Sequence, residues 1–143
     1  MSIQRSPKYV ARDIARQVLP KQQPRRSKPN KDGFGPRVKS LIVARSGGVC
    51  ELDGCGRAEV IHHRGPRALG GTHQGWVNWA ANGFHIASRC HDRIESHRTR
   101  AYVNGWLVSR LGSVVAADVP VLRRGAWVLL DDEGGVREIG GAA

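Results

Sequence analysis

The chain has 143 residues, a formal charge of +11 and three cysteines. That length suits one small domain with tails, and an odd cysteine count excludes a complete disulfide framework, which points instead to metal ligation in a reducing compartment. No run approaches the roughly 18 apolar residues of a membrane helix, and the N-terminus lacks the apolar stretch of a secretory signal, so a cytosolic location is expected.

The charge is unevenly placed. Residues 1–45 hold twelve Lys/Arg against Asp13 and Asp32, so +10 of the formal +11 lies there and the remainder is close to neutral. A cationic arm on a balanced domain suits a polyanion, because each neutralised phosphate releases counterions. A solubilising tail is the plainer reading, and a membrane surface is disfavoured by the lack of aromatic anchors.

In chain order, Val10, Ile14, Val18 and Leu19 recur at roughly helical spacing, which predicts a short amphipathic helix. The following segment to Pro36 contains four prolines and few apolar residues, as a linker or disordered stretch does. A second helix is expected from Arg37 to Arg45, with Val38, Leu41 and Ile42 on one face and Gly47-Gly48 ending it. The sequence CELDGC then reads as a tight knuckle and AEVIHH as a strand. Residues 64–83 read as a long glycine-rich loop, the kind that is usually functional or disordered. A helix is expected across residues 91–103, with Ser88 as a candidate cap, Ile94, Ala101 and Tyr102 as its apolar stripe and Asn104-Gly105 as its stop. The sequence WLVSRL (residues 106–111) is a candidate strand, and WVLLDDEGGVREI reads as two short strands about a turn.

The chemistry-bearing residues fall between Cys50 and His97. Adjacent His62 and His63 end the predicted strand, and alternation points them to opposite sides. Histidine can be a metal ligand or a base near neutral pH, and hydrolysis of a phosphodiester needs both. His91 and Glu95, four apart, share a helix face and can share one divalent ion; a solvated surface pair is the plainer reading. Cys50 and Cys55 form one possible pair of zinc ligands and Cys90 a third. Ala87 stands where a C-x-x-C with Cys90 would begin. Either another group such as His85 completes the set, or no structural zinc is held.

Taken together, Cys50, Cys55, His62-His63, Gly70-Gly71, Asn82, Cys90-His91 and Glu95 resemble the HNH endonucleases over about residues 45–97. The resemblance implies a ββα-metal core, placed at 37–104 of an α+β chain; charge and composition set a basic, partly disordered arm at 1–36 before it, and the residue pattern a β-rich extension at 105–143 carrying a short hairpin after it. It implies that His63 is the general base and that His62, His91 and, less conventionally, Glu95 hold a catalytic Mg, Mn or Ni ion. Asn82 would orient the histidine loop or touch the metal, and Arg64 and Arg67 would contact DNA phosphates. The flanks are similar to small HNH proteins of tailed bacteriophages encoded beside terminase genes. That likeness implies DNA and terminase as partners, a role in packaging, and the cytoplasm of a bacterial host as location. A noncatalytic zinc-knuckle DNA-binding or packaging adaptor is the main rival; an RNA-binding role is weakened by the scarcity of aromatics, Trp76 and Trp79 alone lying in the long loop.

Overall fold

The computed structural model describes residues 33–67, 74–111 and 114–140. The predicted helix about Val10–Leu19, the proline-rich linker before Gly33 and the Gly70-Gly71 pair lie outside them.

The chain is mixed helix and sheet, of the α+β class. Helix α1, Pro36–Ser46, starts with proline at its first turn, where the missing N–H costs nothing, and stops at left-handed Gly47. Its apolar face places Ile42 in a buried cluster with Phe34 and Ala80. Residues 49–57 form the expected knuckle, closed by a Val49–Arg57 bridge and a Cys50 N–H to Gly56 carbonyl bond of 2.8 Å. Strand β1, Val60–His63, pairs antiparallel with β2, Gly83–Ile86, setting His62 opposite Phe84 and His63 opposite Gly83. Every residue of β2 is buried. Gly83 lets the layers approach: a Cβ there would collide with the end of the Ile42 side chain, which would have to move for α1 to keep its packing on β2.

The loop joining the strands is more ordered than its glycines suggest, with two short 3-10 turns, Gly75–Asn78 and Ala80–Asn82. The single helix expected from 91 is two. Helix α2, Ser88–Ser96, is capped by Ala87 rather than Ser88, and α3, Arg98–Val103, follows a break at His97 (φ −129°, ψ 59°). Gly105 then turns the chain at φ 73°, where a Cβ would strike the Pro120 carbonyl.

Residues 106–111 do not form the predicted strand. Their polar groups are taken one by one instead: Leu107 N–H bonds the Ala101 carbonyl, Val108 N–H the Arg64 carbonyl, and the Trp106 carbonyl a histidine ring. The expected hairpin is the second half of a three-stranded meander: β3, Val121–Arg123; β4, Ala126–Leu130; and β5, Val136–Glu138. The residues either side of position 104 share one core, since Cys90, Ile94, Trp106, Leu107, Val121, Val128 and Leu130 belong to a single buried cluster. Among the described residues no helix is long and apolar enough to cross a membrane.

A buried ionic triad ties the two halves together. Arg45 grips Glu51 with two bonds of 2.8 Å, Arg123 adds a third of 3.0 Å, and the His85 amide a fourth of 2.9 Å. Burial raises the carboxyl pKa of Glu51, but these donors outweigh it and hold the group below the usual carboxylate range.

Candidate metal centre

His62 and His91 approach from different elements. Strand β1 turns His62 inward, 5% exposed, and α2 presents His91 with its ring edge-on, the centroids 5.3 Å apart. Glu95, one turn along α2, completes a group in which one ligand atom from each residue lies within 4.8 Å of the others. The donor set is two imidazoles and a carboxylate, and it is positioned to bind a metal ion.

The surroundings prepare His62 as a ligand. Its Nε2 is 3.0 Å from the Trp106 carbonyl, which can only accept, so Nε2 carries the proton and Nδ1 keeps the lone pair. Burial first, and the nearby charge of His91 after it, push its pKa down to about 4 despite the carbonyl bond, so the ring is neutral at physiological pH. Glu95 is held on its outer side by Arg98 at 2.8 Å.

His63 points away from that group. Its ring lies flat on Phe34, centroids 3.9 Å apart and planes within 13°, and its Nε2 is 3.2 Å from the Asn78 side-chain oxygen. That oxygen also accepts, so the lone pair is on Nδ1. Burial lowers the His63 pKa, the Asn78 bond opposes this, and the charge of Arg67 adds to the lowering. The result is a neutral imidazole with one nitrogen fixed and the other able to take a proton.

Asn82 works on the loop. Fully buried, it donates to the Gly65 and Val77 carbonyls at 3.0 and 2.7 Å and accepts from the Gly65 N–H at 2.6 Å. All its side-chain bonds are to backbone, strapping the residues after β1 to the first 3-10 turn, and it is not part of the metal group.

Two expected roles are corrected. Arg64 is 0% exposed, and its guanidinium donates to the carbonyls of Gly105, Ala81, Ala116 and Val119 at 2.7–3.1 Å. It cannot face a DNA phosphate, because a socket of carbonyls from three distant segments has taken it inside. Burial pushes its pKa down to about 9, leaving it charged at neutral pH. His85 is not with the cysteines; its Nδ1 lies 2.7 Å from the Ser46 hydroxyl on the α1 side. Arg67 is exposed and makes no hydrogen bond or ion pair with a described residue, so it remains open to an anion.

The thiol group has a different fourth member: Asp53 joins Cys50, Cys55 and Cys90, again with ligand atoms within 4.8 Å. The Cys55 and Cys90 sulfurs are 3.5 Å apart, and Asp53 is oriented by the Cys55 N–H at 2.9 Å and Arg93 at 3.3 Å. Burial raises the Cys50 pKa, but bonds from the Ala87, Leu52 and Asp53 backbone bring it below the ordinary thiol value. Position 87 therefore supplies backbone rather than a ligand. Asp53 lay inside the quoted knuckle, but its carboxylate there reads equally as a turn residue. Phe34 and Asn78 were also missed, since neither stands in a metal or base pattern.

No family model matches this sequence, and comparison with curated proteins and with solved structures gave no match.

Proposed function

We propose that this chain is a metal-dependent DNA endonuclease of the HNH type, with a ββα-metal core formed by β1, β2 and α2. The observation that carries the reading is the convergence of His62, His91 and Glu95 on one point, with His63, the next residue on β1, held apart from them as a neutral imidazole. The residues fit a catalytic Mg, Mn or Ni ion, because imidazole and carboxylate donors suit such metals and His62 is kept neutral by its burial. A divalent ion there would neutralise charge on the scissile phosphate and its leaving oxygen.

The chain's own residues supply the rest. His63 accepts a proton at Nδ1 from the attacking water while Asn78 holds Nε2. The water oxygen bonds to phosphorus, the bond from phosphorus to the 3′ oxygen breaks, and that oxygen takes a proton from solvent, so that a 5′-phosphate and a 3′-hydroxyl result. Asn82 keeps the loop after His63 in place, and Arg67 gives the phosphate a cationic neighbour. The basic segment before Gly33 adds sequence-independent affinity for the DNA backbone. The thiol group with Asp53 suits a structural zinc ion, which Cys50, Asp53, Cys55 and Cys90 would hold. A place in phage packaging beside terminase, in the cytoplasm of a bacterial host, rests on the likeness of the flanks.

The test is relaxation of supercoiled plasmid with Mg²⁺, Mn²⁺ or Ni²⁺ by the wild type and His63→Ala, with an EDTA control. The reading expects metal-dependent nicking that the variant loses. No cutting with any metal, alongside intact DNA binding, would replace it with the noncatalytic zinc-knuckle adaptor, in which the cysteines matter and His63 does not.

A further inference from the structure

Phe34 belongs to none of the roles above, yet its ring stacks on that of His63. It precedes α1, is 8% exposed, and packs in the small cluster with Ile42 and Ala80, with Val38, Leu41 and Ile61 alongside. One face of its ring covers one face of the His63 ring at 3.9 Å and 13°. The far edge of Phe34 reaches over Gly83, where an added Cβ would stand only 3.2 Å from its Cζ, so the bare position leaves room for the ring. The imidazole thus meets a wall on one face and a hydrogen bond at Nε2, which together hold its orientation, and among the described residues Nδ1 has no hydrogen-bond partner. A side chain added merely to fill the cluster would not need to stand parallel to that ring.

From this geometry we infer that Phe34 is a positioning residue for the reaction: it clamps the His63 imidazole so that Nδ1 points at the attacking water. This inference rests on the nuclease reading given above. Clamping has a kinetic consequence. A base whose ring can swing spends less time within reach of the proton it must take, and a displacement of about 1 Å can cost up to about 100-fold in rate. Binding of DNA does not depend on that orientation, so the loss falls on kcat.

The experiment uses the full chain and four proteins: wild type, Phe34→Leu, Phe34→Met and Val38→Ala. Phe34→Met, of similar volume but unbranched and better able to fill an irregular gap, is the second variant should Phe34→Leu fail to fold. Val38→Ala thins the same cluster without touching the histidine. Nicking kcat and KM with Mn²⁺ are measured beside Tm, and proton NMR follows the His63 ring, which lies in the shielding cone of the phenyl group. The expected result is a kcat lowered about tenfold or more in the Phe34 variants, KM within about twofold of wild type, and His63 ring protons moved downfield. Val38→Ala should lower Tm comparably, with kcat and the His63 shifts unchanged. Wild-type kcat in a folded Phe34 variant, or an equal loss in Val38→Ala, overturns the inference while leaving the nuclease reading intact. A wild-type protein that does not cut overturns the nuclease reading, and the inference with it.

Discussion

Replacing Arg64 by Met removes the guanidinium and keeps most of the aliphatic stem. The structure makes this a stability change. Arg64 joins the end of β1 to Gly105, to the second 3-10 turn through Ala81, and to the segment before β3 through Ala116 and Val119. Among the described residues no carboxylate lies within ion-pair distance of it, so those four carbonyls are its direct partners, and the more distant charge of Glu51 adds a smaller compensation for burial. Each carbonyl left unpaired costs on the order of 1–3 kcal/mol. Relaxation and water entry recover part of that, and about 3–5 kcal/mol is a reasonable net loss, in the range seen when a buried charge network is broken. Against a total stability of about 5–15 kcal/mol this is severe. At roughly 2–4 °C per kcal/mol for a chain of this size, Tm should fall by about 10–15 °C. Arg64→Lys should also be destabilising, because one ammonium cannot reach four carbonyls arranged around a planar fork. Thermal and urea unfolding followed by circular dichroism measure the effect, beside DNA affinity at a temperature where every variant is folded. Unchanged unfolding with weakened DNA binding would refute the reasoning and return Arg64 to the phosphate contact its sequence neighbourhood suggests.

Three further outcomes are expected. Glu51 has a depressed carboxyl pKa, so its contribution is present above the ordinary carboxylate range and is lost as pH falls through the lower folded value; the urea midpoint should drop steeply at acid pH, and Glu51→Gln should flatten that drop while costing about 3 kcal/mol at neutral pH. Cobalt bound at the thiol group should give the intense visible bands of tetrahedral thiolate coordination, and Asp53→Ala should shift them and weaken binding, whereas His85→Ala should leave the bands unchanged; bands that respond to His85 and not to Asp53 would contradict the placement. A variant lacking residues 1–32 removes nine Lys/Arg but keeps Phe34, so the slope of log affinity for DNA against log salt should shrink by several units, and an unchanged slope would deny the segment any part in binding.

Local pattern carried much of what positions the site. The apolar run before His62-His63 marked β1, and the spacing of four marked His91 and Glu95 as neighbours on α2. Both are properties of a few consecutive residues. What was not legible depends on partners far along the chain. The apolar stripe of the last helices runs on through residue 101, but His97 leaves helical geometry so that α3 can fold Ala101 into the core shared with β3 and β4. Arg64 reads as a loop cation until the carbonyls at 105, 116 and 119 are known to surround it. Strand β2 buries His85, and the sequence around it does not show that the ring is satisfied by Ser46 from α1 rather than by the cysteines. Phe34 sat among prolines, glycines and lysines in a segment read as linker, and only its contact with Ile42 and His63 shows it to be core.

The account stands on one metal centre built from β1 and α2, and manganese binding tests it most directly. Mn²⁺, a hard ion that the thiol group binds poorly, is titrated into the wild type and His91→Ala while the electron paramagnetic resonance of the free ion is followed. The wild type should remove one equivalent of the free signal, and His91→Ala should need at least about tenfold more metal to do so, as loss of one of three protein ligands implies. Equal binding by the two proteins, or none by the wild type, would contradict the account.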